Sequence, residues 1–196
     1  MTIPLKLSNN QFHEQGVKKQ PVWNSKFYTN FYLHKKTDYF LQGDILRSVR
    51  QPNWNVETHK FEKIYAKALI LSNTCDMDMT NDRVIPKEIV LAPLTPFADF
   101  VEELGTLLKG EKLERIIQGV ISQIYSNVFY LPPVQSTNDD YVCFFDNVFW
   151  FPTEELNTFV ADMPQNRIAS LDYFGYYLFL VKLSYHFCRL PEEKQW

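Results

Sequence analysis

Lys63-Ile64-Tyr65-Ala66-Lys67-Ala68-Leu69-Ile70-Leu71-Ser72, running on into Asn73-Thr74-Cys75-Asp76, is the stretch on which the fold of this 196-residue chain turns. It reads as a β-strand, and its closing continuous apolar run predicts burial on both faces of a sheet. Upstream, Gly43-Asp44 forms a turn before the strand-like Ile45-Leu46-Arg47-Ser48-Val49, and Gln51–Asn55, with Pro52 and two asparagines, reads as a loop. Downstream, Glu88–Leu94 reads as a third strand whose Pro93 belongs at an edge or an end. Three strands thus frame a polar loop over 73–83, and together they predict a small β-barrel core spanning 43–95.

Beyond the core the pattern changes. Residues 97–108 suit a short helix, and Leu113, Ile116, Ile117, Val120, Ile121 and Ile124 follow helical spacing, so helices are expected within 97–126. Asn127–Leu131, then Pro132-Pro133 and a polar turn through Asp140, lead to Tyr141–Phe151, a β-hairpin over 127–151 added at the barrel edge. Ser170 is the expected N-cap of a last helix, within 170–189 and stopped by Pro191. That helix is apolar nearly all round and carries many aromatics, so it is either a core helix or a dimer or partner interface. The expected class is α+β, with one domain over 41–196 preceded by an arm over 1–40.

Composition narrows the function. Apolar residues make up 45% of the chain and aromatics 16%, which excludes a disordered chain. A net charge of −3 and a pI near 5.8 give no global footprint for nucleic acid. The arm is the exception: Lys6, Lys18, Lys19, Lys26, Lys35 and Lys36 face Glu14 alone over 1–36, interleaved with aromatics such as Trp23, Phe27, Phe31 and Tyr32. Such an arm either docks on the body through its aromatics or contacts RNA through both residue types. Three cysteines without close spacing argue against a disulfide framework. No secretory signal is visible, so the expected location is the cytoplasm. The longest apolar run, Tyr173–Val181, falls short of the ~20 residues that span a bilayer, so no membrane segment is expected.

The loop after Ser72 holds the candidate chemistry. Asn73, Thr74, Asp76 and Asp78 are candidate binding residues at the mouth of a buried strand, or side chains that fix the turn by bonding backbone amides. Cys75 would be the nucleophile of a cysteine hydrolase if one of His13, His34, His59 or His186 lay beside it. Asp76, Asp78, Thr80 and Asp82 alternate like the start of a calcium loop, but Asn81 and Lys87 stand where the loop needs Gly and Glu. A zinc site from His186, Cys188 and Cys75 or Cys143 would draw on distant segments without a Cys-x-x-Cys pair. Neither metal nor cofactor is expected.

Gly43-Asp44-Ile45, Ala68-Leu69-Ile70-Leu71-Ser72 and Val90-Leu91-Ala92-Pro93-Leu94-Thr95 together resemble the motif order of the MazF/PemK-like toxins, which are small β-barrels. The Ser-x-Thr-Cys-Asp segment is also similar to a set of bacterial proteins with the same Gly-Asp-Ile opening. The toxin resemblance implies that Thr95 matches the threonine near the RNA-cleaving site and Ser72 the strand-end serine. Ala66-Lys67 stands where the family has Arg-Pro, leaving Lys67 as a shifted cation, and the Gly-rich loop between the first two strands is absent. The resemblance therefore implies a non-catalytic binding component of a stress, toxin-antitoxin or phage-defence system, acting on a protein or RNA partner or as a homodimer. The alternative is a metal-independent endoribonuclease using Ser72, Thr95 and Lys67.

Overall fold

A computed structural model describes residues 28, 30–34, 37–78, 87–134, 136–160 and 163–188. These residues form a mixed α+β fold with seven strands and six helices among them: β1 Ile45–Asn55, β2 Lys60–Ile70, α1 Thr74–Met77, β3 Glu88–Pro96, α2 Phe97–Leu107, α3 Gly110–Ile121, β4 Val128–Leu131, β5 Tyr141–Phe144, β6 Phe149–Pro152, α4 Thr153–Val160, α5 Met163–Asn166, β7 Arg167–Ala169 and α6 Tyr173–Phe187. The strand pairings among the described residues are antiparallel, in the order β4-β5-β3-β2-β1-β7, with β6 also on β3.

The expected barrel is not closed. Among the described residues the sheet has two ends, and α6 fills the space between them. Phe129 and Leu131 of β4, Ile168 and Ala169 of β7, and Leu178 and Phe179 of α6 belong to one buried cluster. Its aromatic rings stand 5.6 Å (Phe129–Phe179) and 6.1 Å (Phe145–Phe179) apart, ordinary aromatic packing distances that keep the terminal strands on either side of a helix. The other face is covered in two places. Leu46, Ala68, Ile70, Leu91 and Phe151 pack under Met77 and Leu156, while Val128, Tyr130, Val142 and Phe144 pack under α2 and α3.

Several sequence expectations change in instructive ways. Gln51–Asn55 is strand, not loop, because β1 meets β7 only at Ile45 and Leu46 and leaves an edge where Pro52 removes no ladder donor. Pro93 is buried mid-strand in a central strand, not at an end. It is tolerated because β6 pairs β3 only up to Leu91 and β5 only from Leu94, so Pro93 faces a gap. The hairpin of 127–151 is present as β4 and β5, after which Phe145–Val148 turns and β6 rejoins the same edge of β3. Asp172, not Ser170, caps α6: its carboxylate accepts from the Tyr173 amide at 2.7 Å.

The Gly-Asp-Ile motif is an anchor. Gly43 has φ +88° and lies against Leu171, whose Cδ1 would be 2.8 Å from an added Cβ, so glycine meets both demands. Asp44 is fully buried and paired with the equally buried Arg167 of β7, Nη1 to Oδ2 at 3.1 Å. Arg167 also donates to Thr37 and to the Tyr39 carbonyl, tying the entry segment to the sheet. Of the arm, the described residues dock: Phe31 is buried in the α6 cluster, Tyr32 bridges Leu171 and bonds the Pro132 carbonyl, and Tyr28 bonds the Ile121 carbonyl. The arm's lysines, on which RNA contact by this segment depends, lie outside the described residues.

Candidate functional site

The turn after β2 is held by its own side chains. Ser72 Oγ accepts from the Val90 amide at 2.8 Å, Asn73 Oδ1 from the Cys75 amide at 2.9 Å, and Thr74 Oγ1 from the Gln42 amide at 2.9 Å. Buried Gln42 completes the lattice, donating to the Leu71 carbonyl at 2.7 Å and accepting from Tyr176 of α6 at 2.9 Å. Cys75 and Asp76 are exposed on the one-turn helix α1, and Asp78 is its half-buried C-cap. Thr80 and Asp82 lie outside the described residues. Among the described residues no three His, Cys, Asp or Glu side chains converge on a metal position. Cys143 is buried in the core, which pushes its thiol pKa up, and His186 faces Asp146 at 3.2 Å.

The residues of the endoribonuclease reading are not brought together. Leu94 packs with Cys143 on the α6 side of the sheet, so the next residue, Thr95, turns to the opposite face. Lys67 is on the α6 side, where its Nζ donates to Tyr141 Oη at 2.6 Å. Ser72 is anchored at Val90, five residues from Thr95 along β3, about 17 Å at strand rise.

What does come together is a ribbon. β3 accompanies β2 only over Ala68–Ile70; from Lys67 outward β1 and β2 continue as a two-stranded ribbon whose inner face is still buried at Val49 and Gln51 and which projects beyond them, closed by the turn 56–59 with His59 at φ +52°. The strand period puts Lys67, Tyr65, Lys63 and Phe61 on one face. The register adds Arg50 opposite Tyr65, Pro52 opposite Lys63 and Trp54 opposite Phe61. Phe61 is 74% exposed, Tyr65 73% and Trp54 48%, and the Trp54 and Phe61 rings meet edge-on at 5.0 Å. Glu62 points to the other face, where Asn55 bonds it at 2.7 Å.

No family model, curated protein or solved structure matches this chain.

At the root of the ribbon, where β2 and β3 diverge, lies a small polar cluster. Tyr141 Oη accepts from Lys67 and donates to Asp139 Oδ2 at 2.9 Å, with Lys67 Nζ 3.6 Å from the same carboxylate. The Tyr141 hydrogen bond, followed by the Lys67 charge, holds Asp139 below its ordinary pKa. Beside it Tyr130 donates to Asp140 at 2.9 Å. Of this site, sequence reading finds Lys67 and misses Tyr141, Asp139 and the ribbon aromatics. The available signal was the alternation Phe61-x-Lys63-x-Tyr65-x-Lys67, apolar and cationic on a single face with no acid between them.

Proposed function

We propose that this protein is a binding component that engages its partner through the β1–β2 ribbon and the fork at its root. Its setting is the bacterial stress, toxin-antitoxin or phage-defence kind that the MazF/PemK resemblance implies. The observation that supports this reading is the ribbon itself. A two-stranded ribbon is marginally stable alone, and ordering it costs conformational entropy that its exposed aromatics do not recover by burial in the body. Large aromatics gathered on one exposed face mark surfaces that are covered on binding. Ser72, Asn73 and Thr74, by contrast, are spent on backbone amides. Phosphodiester cleavage needs a cation and a proton-transfer group at one phosphate, and Ser72, Thr95 and Lys67 stand apart.

The test is a variant in which residues 52–63 are replaced by Asn-Gly, a turn that suits the directly paired Gln51 and Ile64. It is expected to melt within a few degrees of the parent and to lose a partner that the intact chain retains on purification from its host. Equal recovery with both proteins sinks the reading. Total RNA is expected to stay intact with the purified protein in EDTA and in magnesium; cleavage abolished by Lys67→Ala would instead establish the endoribonuclease.

A further inference from the structure

Resting on that binding reading, we infer that the ribbon face formed by Trp54, Phe61, Lys63, Tyr65 and Lys67 is a platform for single-stranded nucleic acid. Three independent features point to one ligand chemistry.

The first is the alternation. Along β2, cation and aromatic succeed one another at every second residue, a step of about 6.7 Å along a single face, with aromatic following aromatic at about 13 Å. A strand of nucleic acid offers the complementary series, a π-face and a phosphate per nucleotide. Stacking on aromatics is indifferent to base identity, and ammonium groups track the backbone. A protein partner would be met by an aromatic patch without the regular cations, and a duplex would not present open base faces to Phe61 and Tyr65.

The second is charge. The chain is net negative, yet from β1 through β2 Arg47, Arg50, Lys60, Lys63 and Lys67 stand against Glu57 and Glu62 only, a local reversal of sign. Not every cation is available to a ligand: Arg50 is paired with Glu155, Lys67 shares its charge with Asp139 at 3.6 Å, and Arg47 donates to the Gln165 carbonyl at 2.9 Å. Lys63, exposed in the middle of the face, carries most of the phosphate attraction, and Lys67 is oriented at the root by Tyr141. The two acids lie off the track, Glu62 on the opposite face and Glu57 in the tip turn.

The third is the boundary. Asp139, half exposed and kept ionised by Tyr141 and Lys67, stands at the root. Its charge repels phosphate, so the platform runs from the tip inward and stops at Lys67, about 20 Å for the six residues from Phe61. That is room for a few nucleotides.

The experiment is fluorescence polarisation of the full chain with labelled single strands of about 12 nucleotides, RNA and DNA, against a duplex of the same sequence at about 50 mM salt. Single strands are expected to bind more tightly than the duplex and to quench Trp54 fluorescence. Phe61→Ala and Tyr65→Ala, both at exposed positions, are each expected to weaken binding roughly 5- to 150-fold with unchanged melting, the range for one lost stacking contact. Lys63→Ala should lower the slope of log affinity against log salt by about 0.7. No single-strand binding overturns the inference. So does binding that heparin or duplex matches and that neither aromatic substitution weakens, since that is polyanion attraction alone. If the chain with the shortened ribbon loses a host partner while neither RNA nor DNA binds, the ribbon is a protein-binding surface: this inference falls and the broader reading stands.

Discussion

Arg167→Met is expected to destabilise the fold by about 3–5 kcal/mol, the cost of leaving a buried charge without its partner. Asp44 has no exposure, and its other bonds, such as that from the Leu41 amide at 2.9 Å, do not replace a guanidinium. Since most domains are stable by only about 5–15 kcal/mol, a loss of this size shows as a large drop in the urea midpoint. The deficit also has a pH signature. Burial already pushes the Asp44 carboxyl up from its ordinary 3.8, and Arg167 opposes that rise. Without Arg167 the folded-state pKa rises further, so the folded variant takes up a proton more readily than the unfolded chain. Stability of the variant then falls as pH climbs from the unfolded value through the folded one. The gap between variant and parent should be wider at pH 8 than at pH 5, and an Asp44→Asn/Arg167→Met double variant should recover much of it. A gap that does not change with pH would mean that Arg167 acts through packing rather than through its charge on Asp44.

This pair explains why parts of the fold were open to sequence reading and others were not. Helix α3 and the β4–β5 hairpin were legible because each declares itself within a dozen or so residues, by helical spacing or by strands around a Pro-Pro turn. The open sheet was not, because its order depends on pairings such as Ile45 with Ala169 that no local pattern encodes. Arg167 lies in a stretch without clear periodicity; the hint was on the other side, in an aspartate placed between a turn glycine and a core strand. The ribbon was missed for the opposite reason. Beyond Gln51 its residues bury little, so no burial pattern marks Pro52–Asn55 as strand, and Pro52 with two asparagines imitates a loop. The Ser-Asn-Thr-Cys-Asp turn was legible as a place and, as one of two readings, as a turn fixed by its own side chains, but not in its partners. Its bonds go to Gln42 and Val90, remote in sequence, and those partners make it architecture.

Lys182 yields the second large effect, and it too was hidden in plain sight as the single charge on an apolar helix. It is buried on α6, and its Nζ donates to the Gln123 carbonyl at 3.0 Å and the Tyr125 carbonyl at 2.6 Å, the turn that follows α3. Burial pulls its pKa down from 10.5 to about 7. A neutral amine has two N–H donors, one for each of these carbonyls, so the uncharged form satisfies the site without a buried charge. Between pH 7 and 10.5 the unfolded chain therefore holds a proton that the folded chain has released, and stability rises with pH across that window. Below pH 7 both states are protonated and the full penalty applies. The total swing is on the order of 4–5 kcal/mol. Lys182→Met removes the titration but leaves two carbonyls without a donor, a cost of about 1–3 kcal/mol each at most. The variant should match or exceed the parent at pH 6 and fall below it at pH 10, with the two stability curves crossing between. The difference between the proteins cancels groups common to both, so chemical unfolding at a series of pH values isolates Lys182. Parallel curves would show that the ammonium stays protonated in the fold, held by the two carbonyls against the cost of burial.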